Sequence, residues 1–577
     1  MNAGSRFRAL GRSAGLVVFI AVWAGTCALA VTNRPAKPSD LARGAPDQNC
    51  TGVVLVSSQE KSELLAKLAY EYDQLHRDSS NGCIDVRVNT MASGNAELAL
   101  ARGWTVSDGP QPTVWTPAAT SWLRILKHDA TSGDKLNLLP DEAPSLMQSP
   151  LVLAMPRPMA EALGWPNTPV GWADVLKLAQ DPEGWGRYGH PEWGRFRLGK
   201  TSPVQSTSGL HALAAAYYAA TGLSADLTAA DVTDPKVVAF VRGVEASVLH
   251  YGNTVSGFFD ALRIADAKGA ALSYVSAIAT EEKQVLDYNA GKPRTPLVAV
   301  YPRDGTMVAD HPYAVLNAPW VQTREQAAAR DFLGWLQEPE RQKRFLSAGF
   351  RDSSGQVARD LGLKNGIVRE GPALVLHAPS PAVLDLVRKS WENVRKRTRI
   401  LLVFDVSGSM LGDKLDAAKA AAVAVLDLFA PDDKIGLWSF ATDIDRLDAI
   451  DQIGPHKSQL IQSIRSLEAL GNTALYRATN DAVREVHATW DPERINAVVV
   501  LTDGQNSDAR DSDRDALLRF LSNQPSSTPV PVFTIGYGQD ADRETLTRIA
   551  QASGGRSYDA PDPAHIGSVF ADVVSNF

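Results

Sequence analysis

Asp405-Val406-Ser407-Gly408-Ser409 sets one carboxylate and two hydroxyls on alternate residues, with a glycine between the serines. Oxygen donors of this kind suit a hard divalent cation, which takes octahedral oxygen ligands and keeps some of its waters. The apolar run 400–404 leads straight into this loop. Such a run, ended by a small polar loop, predicts a buried parallel strand. Open α/β sheets gather their ligands at the C-terminal ends of strands. Two later stretches have the same character: Gly471-Asn472-Thr473-Ala474-Leu475 and Thr502-Asp503-Gly504.

The elements needed to position these loops follow in the sequence. Hydrophobic spacing predicts a strand ending at Asp405, a helix over 414–429, a strand over 435–440 and a short antiparallel strand over 445–450. Helices over 458–467 and 475–487, a strand over 497–501 and a helix over 514–522 come next. A strand over 530–537 and helices over 543–552 and 564–574 complete the chain. This alternation is that of a doubly wound α/β domain over 399–577.

The order and chemistry of the three loops resemble the von Willebrand factor A (VWA) domain and its metal-ion-dependent adhesion site. The resemblance implies Mg2+ or Mn2+ as cofactor. It implies Ser407 and Ser409 as direct hydroxyl ligands and Thr473 as a ligand directly or through water. Asp405 and Asp503 would act mostly through water and by hydrogen bonds to the hydroxyls. One position then stays open for the Asp or Glu carboxylate of a protein partner. Asn472 stands where that family commonly has glycine, and asparagine tolerates unusual backbone angles. Asp413, Asp432, Asp433 and Asp443 fall outside the pattern and are read as helix-start and loop carboxylates.

At 577 residues the chain is too long for one core. Its net charge of -7 gives no electrostatic case for nucleic acid. Its 10 histidines form no zinc-ligand spacing, and no CxxC is present. Arg6, Arg8 and Arg12 precede the uncharged run 13–31. That pattern is a signal peptide or a retained signal anchor with outward-facing domains. Ala28-Leu29-Ala30 favours cleavage, whereas the length of the run suits a membrane span. A lipoprotein cysteine at Cys27 is disfavoured by Thr26. Segment 1–31 is therefore the leader, and the Pro-rich 32–48 a tether. In either case the rest is extracytoplasmic, at the cell membrane or secreted. In an oxidising compartment the two remaining cysteines, Cys50 and Cys83, are expected to pair. Each precedes a strand-like run, 53–56 and 84–88, and neighbouring parallel strands would bring them together.

From residue 51 onward, strands and helices alternate: strand 53–56, helix 61–72, strand 84–88, helix 95–102, strand 113–116. This predicts a parallel sheet with helices on both faces. A strand over 151–155, a helix over 210–220, strand-like runs at 272–275 and 298–302, and a helix over 324–337 follow. The stretches VVLVSSQEKSELL, VWTPAATSWL, SPLVLAMPRPMAEALGWP, GKTSPVQSTSGL and YPRDGTMVADHPYAVL together resemble a bacterial extracellular solute-binding protein. The resemblance covers 49–375 and implies two α/β lobes around a ligand cleft. Ser57, Ser58 and Thr116 at strand ends, and Ser206, Thr207 and Ser208 at a helix start, are the candidate ligand contacts. Hydroxyls and free backbone N–H groups at a helix start favour anions, although serine and threonine there also serve as ordinary caps. Trp165, Trp172, Trp185 and Trp193 are expected in the core rather than on a sugar platform.

Segment 376–398 connects the two regions. Val383, Leu384, Val387, Trp391 and Val394 share one face of a helix predicted over 381–397. Arg388, Lys389, Arg395, Lys396 and Arg397 would complement its C-terminal dipole. A short helical connector with an apolar face implies docked domains. No GxSxG, Cys/His pairing or paired-carboxylate motif is present, so a binding protein is expected rather than an enzyme. Two roles fit. One is an exported module that holds a protein partner through a metal, beside a solute-binding-like region. The other is a transporter's substrate receptor in which the VWA domain is tether or regulator.

Overall fold

The computed structural model describes residues 50–76, 83–131, 137–252, 254–525, 528–574 and 576–577. The leader and the tether lie outside the described residues. Among the described residues no helix is long and apolar enough to cross a membrane.

The first lobe opens with β1 (Thr51–Ser57), α1 (Gln59–His76), β2 (Ile84–Thr90), α2 (Ser93–Arg102), β3 (Val114–Thr116) and α3 (Thr120–Thr131). The second lobe holds β4 (Ser149–Pro156), β5 (Leu198–Thr201), α4 (Thr207–Thr221), β6 (Val248–Gly252), α5 (Val255–Ala267), β7 (Ala277–Glu281), α6 (Glu282–Ala290) and β8 (Leu297–Val300). The short strands β9 (Val308–Ala309) and β10 (Ala314–Val315) carry the chain back.

In the first lobe the strand order is β10-β3-β1-β2, with β1 parallel to both β2 and β3. Leu65, Leu68, Ala69 and Tyr72 recur at helical spacing on α1 and are fully buried against this sheet. The register sets Thr51 opposite Ile84, so Cys50 and Cys83 meet just ahead of the two strands. They form a disulfide with a Cα–Cα distance of 4.6 Å, closing a loop of 33 residues. A loop of this size contributes about 3–4 kcal/mol in the chain-entropy account. Dithiothreitol is therefore expected to lower the melting temperature of the wild-type first lobe and to leave a Cys50→Ser/Cys83→Ser variant unmoved. A wild-type melt indifferent to the reductant would refute that assignment.

The second lobe departs from an all-parallel sheet. Its order is β6-β5-β7-β4-β8, and β4 runs antiparallel to both β7 and β8. The reason is connectivity: β4 enters from the first lobe and is not reached through a helical crossover. The run 272–275 is also not a strand. Ala271–Tyr274 forms one helical turn, because only a few residues separate the turn at Gly269 (φ +74°) from β7. Trp172, Trp185 and Trp193 are core residues.

The connector helix α7 (Pro381–Val394) starts at Ser380, whose hydroxyl accepts the Val383 N–H at 3.4 Å, and has proline in its first turn. It buries Leu384, Val387, Trp391 and Val394. It ends three residues earlier than the pattern predicts, and its last turn carries no basic residue. Arg395 has left the helix and pairs with the buried Asp433 instead of the dipole. Asp433 also accepts the N–H groups of Thr398 and Ala430, each at 2.8 Å. One apolar core runs from Leu213 and Tyr251 in the second lobe, through Val387 and Trp391, to Ile400 and Leu402.

The C-terminal domain is a six-stranded sheet. Its strands are β11 (Arg397–Asp405), β12 (Lys434–Phe440), β13 (Ile444–Gln452), β14 (Arg494–Thr502), β15 (Val532–Tyr537) and β16 (Ser557–Ala560). The order is β13-β12-β11-β14-β15-β16, with only β13 antiparallel. The chain leaves β11 towards one side and returns as β14 on the other, so the crevice between these two strands is the topological switch point. The loops after β11 and β14 flank it. Helices α8 (Asp413–Val425), α9 (Leu475–Ala488) and α10 (Ile566–Val574) cover the faces. The α/β class and the two-lobed N-terminal arrangement are as expected.

Candidate functional site

Asp405 ends β11 and is fully buried. Its Oδ1 accepts the Ser407 N–H at 2.8 Å, and its Oδ2 accepts the hydroxyl of Thr502 at the end of β14. The Ser407 and Ser409 hydroxyls lie 3.1 Å apart, and Ser409 Oγ donates to Asp503 Oδ1 at 2.6 Å. Lys414, in the first turn of α8, reaches Asp503 Oδ2 at 2.8 Å. The middle loop is tied to the first by the Gly408 N–H on the Gly471 carbonyl at 3.0 Å. Thr473 is held through its N–H on Ser507 Oγ at 2.8 Å. A Cβ on Gly504 would stand 3.5 Å from Thr473 Oγ1 and 3.6 Å from Ser409 Oγ, so both hydroxyls face Gly504. The left-handed backbone falls on Gly471 (φ +92°), where a Cβ would meet Thr442 Oγ1 at 2.6 Å. Asn472 therefore has no unusual angle to tolerate.

All five residues foreseen from the sequence come together at the switch point. Burial raises the Asp405 carboxyl to about 6, the nearby Asp503 charge adds to this, and hydrogen bonds from Ser407 and Thr502 oppose it. Two buried carboxylates and three hydroxyls form an all-oxygen donor set that fits a hard divalent cation. Sequence reasoning did not single out Thr502, Lys414, or Leu411 and Leu470. These leucines flank the loops with 69% and 79% of their surface exposed. Large apolar side chains standing free beside a polar loop were the available signal.

The second candidate is a cavity of about 550 Å³ between the two lobes. Of the six candidate ligand contacts, Ser58, Ser206, Thr207 and Ser208 line it; Ser57 and Thr116 are not among its lining residues. Ser57 donates to the Ser58 carbonyl at 3.0 Å, and Thr116 is fully buried with its hydroxyl unpartnered among the described residues. Ser206 occupies the N-cap of α4 without a side-chain capping bond, so its hydroxyl is free for another partner. Gln205 Oε1 is also buried and unpartnered among the described residues. Thr207 Oγ1 accepts from the Trp122 indole at 2.8 Å.

Beneath the cleft lies a charge cluster that no motif announced. Glu60, Glu281 and His311 bring ligand atoms within 4.8 Å of one another. Glu60 stands more than two hundred residues before the other two, and Glu281 and His311 lie on different segments, so no short motif could reveal them. Lys61 Nζ sits 3.3 Å from His311 Nδ1 and 3.4 Å from Glu60. Burial lowers the Lys61 pKa, and the Glu60 and Glu281 charges oppose this. Burial and the Glu60 charge push the Glu281 carboxyl up, and the two carboxylates hold His311 above its ordinary value against burial and Lys61. His311 adopts φ +42°, strained for a residue with a side chain. The cluster joins the first lobe, the return crossover and the second lobe.

Residues 53–351 match the family described as bacterial extracellular solute-binding protein, and residues 400–572 match the von Willebrand factor type A domain. An uncharacterized protein of Mycobacterium tuberculosis is 23% identical over 527 residues, which cover 87% of this chain and 73% of that protein. The inter-alpha-trypsin inhibitor heavy chain H4 of Homo sapiens is 26% identical over 165 residues, 27% of this chain and 17% of that protein. Among solved structures, a periplasmic thiamin binding protein aligns with 62% of this chain and 99% of its own, at 12% identity and a TM-score of 0.43. A von Willebrand factor type A structure from Catenulispora acidiphila aligns with 31% of this chain and 42% of its own, at 20% identity and a TM-score of 0.28. The chain belongs to the bacterial extracellular solute-binding protein family and carries a von Willebrand factor type A domain behind its solute-binding domain.

Proposed function

We propose that this is an exported binding protein whose C-terminal domain holds a protein partner through a divalent metal ion, Mg2+ or Mn2+. The observation that carries this reading is the convergence of Asp405, Ser407, Ser409, Thr473 and Asp503 on one crevice from three separate loops. Ser407 and Ser409 would hold the ion through their hydroxyls, and Thr473 directly or through water. Asp405 and Asp503 would act through water and by orienting the hydroxyls. With the protein's own carboxylates held back in this way, the ion keeps its appetite for an Asp or Glu from outside. Leu411 and Leu470 offer apolar contact to the residues flanking that carboxylate. The protein acts outside the cytoplasm, anchored by its leader or secreted, and its partners do not include nucleic acid. Immobilised full chain should capture its partner from cell-surface extract in Mg2+ and release it in EDTA, with Ser407→Ala capturing nothing. Capture unchanged by EDTA would refute the reading.

A second role, substrate receptor of a membrane transporter, is favoured by the interlobe cavity and the unpartnered Gln205 and Ser206 that line it. A ligand present at a hundred times its dissociation constant stabilises its site by about 2.7 kcal/mol. A solute screen on the full chain should therefore contain a compound that raises the melting temperature of the N-terminal domain. The shift should vanish in Ser206→Ala/Ser208→Ala. A screen without such a compound would count against the receptor role.

A further inference from the structure

A separate cavity of about 370 Å³ lies between the second lobe and the C-terminal domain. It shares only Thr254 and Ser256 with the lining of the solute cleft, and it touches none of the three metal loops. Three of its polar side chains are incompletely partnered among the described residues. Arg197 donates from Nη1 to the Ser273 carbonyl at 2.7 Å, and among the described residues no carboxylate pairs with it. Burial lowers its pKa to about 10, and its charge joins burial in lowering that of Lys396 to about 8. Arg197 thus stands in a largely desolvated place with no paired carboxylate among the described residues, whereas the Asp491 charge opposes the shift of Lys396. The Tyr274 hydroxyl is buried with no partner among the described residues. His250 places Nδ1 3.0 Å from the Tyr251 carbonyl, which assigns its proton to that nitrogen. Its Nε2 is then a buried acceptor that no donor among the described residues reaches. Unpartnered buried polar groups require an explanation, and an absent ligand is one.

The rest of the lining comes from both domains and mixes an apolar surface with polar side chains, Asp260, Gln524 and Asn576 among them. Phe258 stacks on His250 at 4.7 Å, and Phe533 of the C-terminal domain meets the same ring edge-on at 6.2 Å. Ile264 and Ala552 extend this surface, and Arg556 adds a second guanidinium from the C-terminal side. We propose that this interdomain cavity binds a small organic anion with an aromatic body and an N–H or O–H donor. Its anionic group meets Arg197 and Tyr274, its donor meets His250 Nε2, and its ring packs between Phe258 and Phe533. A neutral apolar molecule would leave Arg197 uncompensated, and an inorganic anion would leave the aromatic wall bare.

Anilinonaphthalene sulfonate combines these three features and fluoresces when its ring leaves water. Titrated into the full chain, it should bind one saturable site. Arg197→Gln and Tyr274→Phe should each weaken it roughly tenfold, about 1.4 kcal/mol. Ala552→Trp should abolish binding by filling the cavity while leaving every polar group in place. A crystal of the wild-type complex should show the dye between Arg197 and Phe533, and this result does not depend on any variant folding. No saturable site, unchanged affinity in both Arg197→Gln and Ala552→Trp, or dye located elsewhere would overturn the proposal.

Discussion

Asp405→Asn is expected to stabilise the metal-free chain at pH 8 by about 2–3 kcal/mol while abolishing its response to Mg2+. The size follows from a carboxyl that titrates at about 6 in the fold, against 3.8 for the free side chain, with each unit equivalent to about 1.36 kcal/mol. Its pKa is raised on folding, so the folded state binds more protons than the unfolded chain over this window. The cost of ionising Asp405 therefore sets in as pH rises from about 4 and is complete above about 6. Asparagine escapes it and keeps both hydrogen bonds: its carbonyl accepts from Ser407, and its amide donates to Thr502. The gain should vanish below pH 4. Mg2+ should raise the melting temperature of the wild-type C-terminal domain and leave the variant unmoved. Equal melting of the two metal-free proteins at pH 8 would show that Asp405 is not held under strain.

Arg388→Met should be the most damaging single change in the connector. Arg388 on α7 donates to Glu97 at 2.9 Å and to Asp385 at 2.6 Å, and lies 3.4 Å from Asp129. The same helix touches the second lobe, where Tyr217 meets Ser390 at 2.8 Å and Trp391 meets Tyr251 edge-on at 5.0 Å. It thus straps both lobes and runs on into β11. Burial raises the fully buried Glu97 to about 7; Arg388 opposes this and Asp129 adds to it. Its pKa is raised on folding, so Glu97 costs stability as pH climbs from about 4.5 to 7. Without Arg388 that cost grows. Removing one partner of a buried pair costs about 3–5 kcal/mol, a loss expected at pH 8 and smaller at pH 5, where Glu97 is protonated. Adding Glu97→Gln should recover most of it. Denaturant melts at both pH values provide the check, and an equal loss at each would mean that packing, not charge, sets the effect.

How far the sequence reveals these features depends on how local each one is. The loop at Asp405 was visible because its donors sit within five residues at the end of an apolar run. Thr473 and Asp503 followed because each ends or begins a periodic element. The disulfide followed from two cysteines standing before two parallel strands. The antiparallel β4 could not be read, since its direction is set by a crossover between lobes. Strand β16 was missed because its burial pattern is mixed and its length is only four residues. The Glu60–Glu281–His311 cluster and the cavity around Arg197 exist only once distant segments meet. Arg395–Arg397 shows the opposite error: a helical face was extended into residues that belong to a turn and a strand, and a buried carboxylate took the place of the helix dipole.

The proposed metal site carries the proposed function, and calorimetric titration of the metal-free full chain with Mg2+ and Mn2+ tests it most directly. The expected result is a single ion per chain, lost in Asp405→Asn and in Asp503→Asn and retained in Glu281→Gln. Absence of saturable binding would contradict the account. So would binding that survives Asp405→Asn, or binding that disappears with Glu281→Gln, which would place the ion beneath the solute cleft.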